Sequence, residues 1–573
     1  MDKASALEFS VRFRKPFRFV DFDTKVLKRS FRKIGQKVQG MAKKNVSTRG
    51  VSKADEFPGM STGKLRGSIK YRVSHSGFSV GIANYMTNSR VFNYGVTAYS
   101  GAQANGGIDP HLSYAGWSTV RYGVGECLVK ISEEGTIEPW VADNWTLVDD
   151  TTWEINIKDN VTFSNGKKVD AAAVKACFER LIEKNERAAS GLKISSMKAD
   201  GQKLTIHTSE KNPILINWLT DPFACVIDVS EEVNGNNHVI GTGPYTLESA
   251  TTDKVVVKAN KSYWNGTPKF GTINVQCFLD GDTMAMALQN GELDACANLG
   301  YANLPIFENN SNFEINSAAT SRSYMFVFNT QSEEFSDVNV RKAVTMAINK
   351  EGFVNTLMNG FGEVAQLCYP ASYEFGDSKV KGPEYNQEEA KKLLADAGWS
   401  DTDGDGYLDK DGKTFEINWV TYRNRIELPL LAESAQASLK EIGIKVNIDD
   451  RESNTVIEDV SKDFDIYSWA VVTAPYADGI TFFNELLTNY NIHGWSGEEY
   501  DKFVALYNKA SQETDSEKRA EYSIELQQML VDNGILCVAS HNTMNIVTKA
   551  GVTGLAPHPS DYYEITADLD MPQ

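Results

Sequence analysis

A strand, a tight turn and an amphipathic helix follow one another between Val141 and Leu181, and this segment constrains the fold more than any other. Apolar residues alternate with polar ones and predict a strand with one buried face: Trp153, Ile155 and Ile157. Asn165-Gly166 then favours a reversal of the chain, because both residues accept positive φ angles. Asp170 is a good N-cap, and one apolar stripe of the following helix must pack on the sheet: Val174, Phe178, Leu181 and Ile182.

The same segment opens a series of motifs. FSNG follows a W-x-I-x-I strand and precedes DAAAV and the helix. The other motifs are NGGIDPHL from Asn105, GTGPY from Gly241, ANKSYWNGTPK from Ala259, VRKAVTMAINK from Val340 and EEAKKLLADAGW from Glu388. In this order they resemble the family 5 extracellular solute-binding proteins, which are the peptide and nickel receptors of ABC importers. The resemblance extends from about Val91 to the C-terminus.

The resemblance implies an α/β fold of the periplasmic-binding-protein type, in the large class II form of the peptide and nickel receptors. Two lobes joined by a hinge would enclose the ligand. Lobe one is expected to contain residues 91–322, lobe two residues 323–540, and residues 541–573 would return to lobe one. Two chain crossings favour hinge closure, and ligand contacts from both lobes favour the closed state.

Residues 1–90 differ from the rest in charge. They contain 20 Lys plus Arg against 6 Asp plus Glu, whereas the remainder contains 38 against 70. Such a shift is typical of separate domains with separate partners. Helical spacing of apolar residues from Leu27 to Met41 predicts a basic amphipathic helix, and two strands are predicted around Ser76-Gly77. This small α+β domain resembles phage tail-completion proteins; a generic basic domain is the alternative, and a phage structural role is a second hypothesis for function.

The N-terminus does not agree with an exported receptor. MDKASALEFSVRFRKPFRF has no apolar core region and is not a secretory signal. The resemblance nevertheless implies a place in the periplasm or on the outer face of the cytoplasmic membrane. We therefore expect a junction near Arg90, created by a gene fusion, an assembly error or engineering. No run of the sequence approaches the length of a membrane span.

The sequence favours binding without catalysis. It contains no H-E-x-x-H, Walker A or Rossmann fingerprint. Seven scattered cysteines include no C-x-x-C pair, which argues against a zinc site, and most are expected to be buried. We expect no enzyme activity and no required cofactor. The expected partners are a small ligand and the membrane permease of an importer, with no nucleic acid for residues 91–573 and a monomeric state.

Three ligand-binding residues are predicted in the second lobe. Arg425, in N-R-I-E-L-P, resembles the nickel-receptor arginine that holds the carboxylates of a metal chelate, and a guanidinium suits that task. An ion pair with Glu427 is the alternative. Tyr476, in A-P-Y, resembles the tyrosine that lines the nickel-receptor cleft. Trp469 precedes it in the same stretch, and both aromatics could instead be ordinary core residues.

The position three residues beyond Trp469 bears on the choice of ligand. Peptide-binding members have an aspartate there for the α-ammonium group, and this chain has Val472. A nickel chelate or a similar small carboxylate-bearing ligand is therefore favoured, with a peptide as the alternative.

Further candidates follow from the resemblance. His493 lies where some nickel receptors supply a histidine that coordinates the metal, although a loop histidine is the simpler interpretation. Tyr114 and Trp117 lie where the first loop of the family meets the ligand. The arginine that some nickel receptors place after Pro-Phe is replaced here by Ala224, after Pro222-Phe223, which puts the identity of the ligand in doubt.

One acidic loop resembles a calcium site. Asp401, Asp403 and Asp405 alternate before Gly406, but the twelfth position, where an EF-hand needs a glutamate, is Gly412. A polar hairpin turn without calcium is therefore favoured.

Overall fold

The computed structural model describes residues 69–73, 78–82, 90–97, 107–423, 425–452, 464–488 and 494–571. The chain divides into two compact units. The smaller contains residues 1–92 together with Pro268–Ile273, and the larger contains the remaining residues. In the smaller unit Ile69–Val73 and Phe78–Ile82 form an antiparallel hairpin with Val73 opposite Phe78. This confirms the two strands predicted around Ser76-Gly77. The helix predicted between Leu27 and Met41 lies outside the described residues.

The larger unit contains the segment from Val141 to Leu181 as predicted. Thr152–Ile157 is a strand with alternating burial, Gly166 has φ 87°, and Asp170 accepts a hydrogen bond from Ala173 N–H at 2.8 Å. Helix Ala171–Lys184 buries the predicted stripe apart from the half-buried Ile182. The strand belongs to a four-stranded antiparallel sheet, in the order Ala142–Asp149, Thr152–Ile157, Lys203–Thr208 and Ile194–Asp200.

The main sheet of the described residues is mixed and has eleven strands. Its order is Tyr245–Ala250, Lys254–Ala259, Thr272–Phe278, Val91–Thr97, Ala295–Ala297, Leu536–Lys549, Phe313–Phe328, Ile466–Val472, Glu416–Tyr422 and Lys445–Arg451, and Gly362–Val364 also pairs with Leu536–Lys549. Two further pairs are Val129–Ile131 with Ile137–Pro139 and Asp409–Lys410 with Lys413–Thr414. Mixed strand direction with helices on the sheet establishes the expected α/β class.

Two long strands at the centre of this sheet connect the lobes. Phe313–Phe328, the first crossing strand, pairs antiparallel with Leu536–Lys549, the second crossing strand. Their register shifts between Ala319 and Ser323, beside the predicted lobe boundary. The first crossing strand begins ten residues before Ser323, the predicted start of the second lobe, and its last part contains the run YMFVF from Tyr324 to Phe328. The lobe boundaries themselves stay predictions.

Helices cover both parts of the sheet. In the first lobe they are Gly116–Arg121, Ala171–Lys184, Glu186–Leu192, Leu215–Trp218 and Gly281–Gln289, with 3₁₀ turns at Pro222–Ala224 and Leu304–Ile306. In the second lobe they are Val338–Ala347, Lys350–Gly352, Gln387–Asp396, Glu427–Lys440, Thr481–Thr488, Glu498–Ser511 and Ser516–Asp532, with a π-helical turn at Phe353–Leu357 and a 3₁₀ turn at Asp377–Lys379. A continuous core of buried side chains lies between Tyr324 and Ala539, so the second lobe has a core of its own.

The two glycines of the GTGPY motif are required for steric reasons. A Cβ atom on Gly241 would lie 2.2 Å from the carbonyl oxygen of Val124, and one on Gly243 would lie 2.3 Å from that of Gly123. Neither contact is possible, so only glycine lets these backbones approach. The contact joins the motif to the segment that follows helix Gly116–Arg121.

All seven cysteines are free thiols, and six of them are buried, which confirms the prediction for most of them. None of the helices in the described part of the chain combines the length and apolar character needed to cross a bilayer.

Candidate functional site

Arg187 is the centre of a charged cluster in the first lobe. Asn185 caps helix Glu186–Leu192 by accepting from Ala188 N–H at 3.1 Å, which places Arg187 in its first turn. The guanidinium forms a bidentate pair with Asp221, at 2.5 Å from Nη1 to Oδ2 and 3.2 Å from Nη2 to Oδ1. Asp221 is held by Phe223 N–H at 2.9 Å and is only 1% exposed, whereas the Arg187 side chain is 29% exposed. The pair is therefore buried on one side and open on the other.

Two aromatic rings enclose this guanidinium. Its central carbon lies 4.6 Å from the ring centroid of Tyr114 and 4.8 Å from that of Phe223, both within the range of cation–π attraction. Burial lowers the pKa of Arg187, but the charges of Asp221 and Tyr476 outweigh it and raise the pKa above its ordinary value. The arginine is therefore permanently charged.

This arrangement bears on the replacement at Ala224. The absence of an arginine after Pro222-Phe223 put the identity of the ligand in doubt. The structure instead brings Arg187 onto Phe223 from helix Glu186–Leu192. A guanidinium is thus present at this place, although a different element supplies it.

The second lobe meets this cluster through Tyr476. Its hydroxyl accepts a hydrogen bond from Arg187 Nη1 at 3.2 Å, and its ring lies 4.1 Å from that of Trp218. Asn217 Nδ2 also donates to the carbonyl of Tyr476 at 3.0 Å. Tyr562, on the returning C-terminal tail, donates to the carbonyl of Pro475 at 2.9 Å. These contacts join the predicted first lobe to the predicted second lobe.

Trp117 extends the aromatic wall. Its ring lies 5.3 Å from that of Tyr562 and 6.3 Å from that of Tyr114, which is 55% exposed. The guanidinium of Arg121 lies 5.1 Å from the Trp117 ring and pairs with Asp561 at 2.6 Å. The indole Nε1–H of Trp117 is buried and has no acceptor among the described residues. The predicted residues Tyr114, Trp117 and Tyr476 are thus brought together.

Arg425 belongs to a second charged cluster, which contains Glu427 and Arg322. It lies just before helix Glu427–Lys440, and its charge acts on Glu427 and Tyr324. Burial raises the pKa of Glu427, while Arg425 and Arg322 act in the opposite direction. Both alternatives for Arg425, a ligand contact and an ion pair with Glu427, remain open.

Trp469 lies away from this cluster. Trp469 is 6% exposed and packs on Phe482 in the core of the second lobe, with a ring distance of 5.7 Å. His493 lies outside the described residues. Their roles as ligand contacts stay predictions.

Sequence reasoning missed Arg187, Asp221 and Glu485. Glu485 lies on helix Thr481–Thr488, is half-buried and is coupled electrostatically to Arg187. Asn185 is a residue type that often caps helices, and it could have predicted that a helix begins at Glu186 with Arg187 in its first turn. Nothing in the sequence placed that helix beside Asp221.

Potential metal ligands are grouped only at the acidic loop, as far as the described residues go. Asp401, Asp403 and Asp405 are exposed there with carboxylate oxygens within 4.8 Å of one another. Both oxygens of Asp401 accept backbone N–H groups, from Gly404 at 2.7 Å and Gly406 at 3.1 Å. This is the bonding of a polar turn, and calcium at this loop remains untested.

Known proteins are similar to this chain in sequence and fold. The sequence pattern of "Bacterial extracellular solute-binding proteins, family 5 Middle" matches residues 136–494. The nickel-binding protein NikA of Staphylococcus aureus is 30% identical over 379 residues, covering 64% of this chain and 72% of NikA. The oligopeptide-binding protein AppA of Bacillus subtilis is 26% identical over 404 residues, covering 66% of this chain and 72% of AppA.

A solved structure extends the similarity. The nickel ABC transporter protein from Bacillus halodurans superimposes with a TM-score of 0.72 and 28% identity, over 84% of this chain and 100% of that one. The part of the chain that aligns therefore has the two-lobed binding-protein fold.

Proposed function

The chain belongs to family 5 of the bacterial extracellular solute-binding proteins, and we propose that its cleft captures a small carboxylate-bearing ligand, in the first place a nickel chelate, for an ABC importer. The membrane permease of that importer would be its partner. Its place would be the periplasm or the outer face of the cytoplasmic membrane. The protein would bind its ligand without catalysing a covalent step.

The observation that carries this proposal is the open side of Arg187. Asp221 and Tyr476 use both Nη1 hydrogens and one Nη2 hydrogen, so Nε–H and the second Nη2–H remain for a ligand as far as the described residues are concerned. A carboxylate accepts such a pair of donors in a bidentate fashion. The flanking rings of Tyr114 and Phe223 cover part of the guanidinium, which strengthens this attraction.

Trp117 adds a second reason to expect a polar ligand. A buried donor without an acceptor costs about 1–3 kcal/mol. An acceptor on the ligand would recover that cost, and it would lie beside the same aromatic wall. The cleft therefore suits a ligand that combines carboxylate oxygens with flat or chelated groups.

A chelate suits the cleft better than a bare metal ion. The described cleft residues offer arginines and aromatic rings rather than a group of metal ligands. Small-molecule carboxylates and nitrogens would then complete most of the coordination of the metal. Nickel-binding relatives support this choice.

A peptide is the second candidate. Val472 cannot hold an α-ammonium group, but the carboxylate of Glu485 is coupled electrostatically to Arg187. The oligopeptide-binding relative agrees with this alternative.

Titration calorimetry and native mass spectrometry of the purified chain would test the proposal. The probes are Ni²⁺ alone, Ni²⁺ with L-histidine, L-histidine alone, and di- and tripeptides. We expect tight, one-to-one binding of the histidine chelate and weaker or no binding of bare Ni²⁺. Preference for peptides would support the second candidate, and binding of none of the probes would refute both.

A further inference from the structure

A cavity of about 840 Å³ lies within the predicted first lobe, apart from the cluster around Arg187. Its walls come from distant parts of the chain: residues 120–126, 130–140, 263–265 and 552–568, and the first crossing strand at Glu314. The described lining residues include none of the groups that contact Arg187. The volume falls within the range of small-molecule sites, about 300–1,000 Å³.

Glu126 lies in the wall of this cavity and is only 1% exposed. Its carboxylate accepts hydrogen bonds from the Tyr263 hydroxyl at 2.6 Å, the Trp264 indole N–H at 2.8 Å and the Thr242 hydroxyl at 2.9 Å. All three donors are neutral, and within the described chain no lysine or arginine forms an ion pair with Glu126. Burial raises its pKa to about 7, against the effect of these hydrogen bonds. A positive charge brought into the cavity would therefore stabilise the ionised carboxylate.

The solvent side of the cavity is acidic. Glu564 is paired with Arg121 at 3.5 Å, but five other carboxylates form a rim: Glu133, Glu134, Glu138, Glu314 and Asp568. Lys130 is the one lysine or arginine among the described lining residues, and it already lies 3.4 Å from Glu138. His558 adds no positive charge at neutral pH, because burial and the charge of Lys130 lower its pKa to about 4. The cavity therefore attracts cations.

Aromatic and aliphatic side chains form the rest of the wall. The ring of Tyr563 lies 5.3 Å from that of Trp140 and 4.9 Å from that of His558. Aliphatic residues also line the cavity: Val120, Ile131, Val552, Leu555 and Ile565. Aromatic faces attract ammonium groups, and aliphatic surface is a favourable contact for methylene groups. Such walls favour an organic cation over an inorganic one.

We propose that this cavity binds an aliphatic polyamine, in which methylene segments separate two or more ammonium groups. One ammonium group lies by the rings of Trp140 and Tyr563, within the field of Glu126. The others reach the carboxylates of the rim, and the methylene segments lie on the aliphatic wall. This site is separate from the cleft of the proposed function, so either can be tested without the other.

Titration calorimetry of the full chain tests the inference. The probes are spermidine, putrescine, 1,4-butanediol as the uncharged analogue of putrescine, and Mg²⁺ as an inorganic dication. The double variant Glu133→Gln, Glu134→Gln removes two exposed carboxylates from the rim. The control double variant Glu521→Gln, Glu525→Gln removes the same charge from an exposed face of helix Ser516–Asp532. Trp140→Leu removes the ring and keeps an apolar side chain.

We expect wild type to bind spermidine one-to-one and more tightly than putrescine, and not to bind 1,4-butanediol. Mg²⁺ and spermidine should differ in affinity by about tenfold in favour of spermidine, because only the amine contacts the apolar walls. The rim variant should bind spermidine roughly tenfold more weakly, since two charge contacts are lost. Trp140→Leu should also weaken binding, and the control variant should match wild type.

No binding of spermidine by wild type would overturn the inference. Unchanged affinity in the rim variant, or an equal loss in the control variant, would do the same, because the amine would then bind elsewhere or through net charge alone. Mg²⁺ that binds as tightly as spermidine would contradict an organic ligand. If Trp140→Leu does not fold, the rim variant decides, since both of its substitutions are exposed.

Discussion

Replacing Arg187 with alanine removes the group on which both the site and the local fold depend. Among the described residues, the carboxylate of Asp221, 1% exposed, would keep only the N–H of Phe223 as a donor. Loss of one partner from a buried ion pair costs about 3–5 kcal/mol. The Arg187 side chain is 29% exposed, so water already weakens this pair, and we expect a loss of about 2–3 kcal/mol in the free energy of unfolding.

The effect on the ligand follows from the same geometry. A bidentate contact of a carboxylate with Nε–H and Nη2–H is lost, and hydrogen bonds to charged groups contribute about 1.5–3 kcal/mol each. A net loss of about 3 kcal/mol corresponds to roughly a hundredfold weaker binding. Titration calorimetry measures this change, and scanning calorimetry measures the change in stability.

Tyr476→Phe is the matched control. It removes only the hydroxyl that accepts from Arg187 at 3.2 Å and retains the ring against Trp218. We expect it to cost about 0.5–1.5 kcal/mol, the usual contribution of one hydrogen bond. Wild-type affinity and melting temperature in Arg187→Ala would refute the assignment of Arg187 to the ligand and to the ion pair.

Three further predictions concern other parts of the molecule. Arg425→Ala should abolish ligand binding in titration calorimetry, and unchanged affinity would exclude Arg425 from the site. The raised pKa of Glu485, about 7, means that the folded state binds its proton more tightly than the unfolded state, where the pKa is about 4.3. Stability contributed by this proton is lost as pH rises from about 4 to 7, so Glu485→Gln should melt above wild type at pH 8 and equally at pH 4; a constant difference would contradict this. Gly243→Ala places a Cβ atom 2.3 Å from a carbonyl oxygen and should lower the melting temperature by several degrees or prevent folding, whereas Gly404→Ala, on an open turn, should cost far less.

Local elements were predictable because their causes are local. The alternation around Trp153, the turn at Gly166 and the cap at Asp170 each depend on residues within a few positions of one another. The ordered motifs added the α/β class and the two lobes. The hairpin around Ser76-Gly77 is confirmed for the same local reasons.

The composition of the cleft depends on contacts between distant residues. Arg187 meets Asp221 from 34 positions away and Tyr476 from 289 positions away. Only the folded chain shows that the Arg187 guanidinium lies over the ring of Phe223. In some nickel receptors the arginine instead follows Pro-Phe directly in the sequence, at the position of Ala224. The sequence predicted a ligand contact for both Trp469 and Tyr476, because both are aromatic residues of the same stretch. Trp469 instead lies in the core, because strand Ile466–Val472 has neighbouring strands on both edges and is covered on both faces.

The central claim is that two hinged lobes close on a solute. Small-angle X-ray scattering of the purified chain, with and without saturating Ni²⁺ and L-histidine or the preferred peptide, tests it most directly. We expect a smaller radius of gyration in the presence of the bound ligand, since ligand contacts from both lobes favour the closed state. A radius of gyration that stays the same with a ligand shown by calorimetry to be bound would contradict capture by closure.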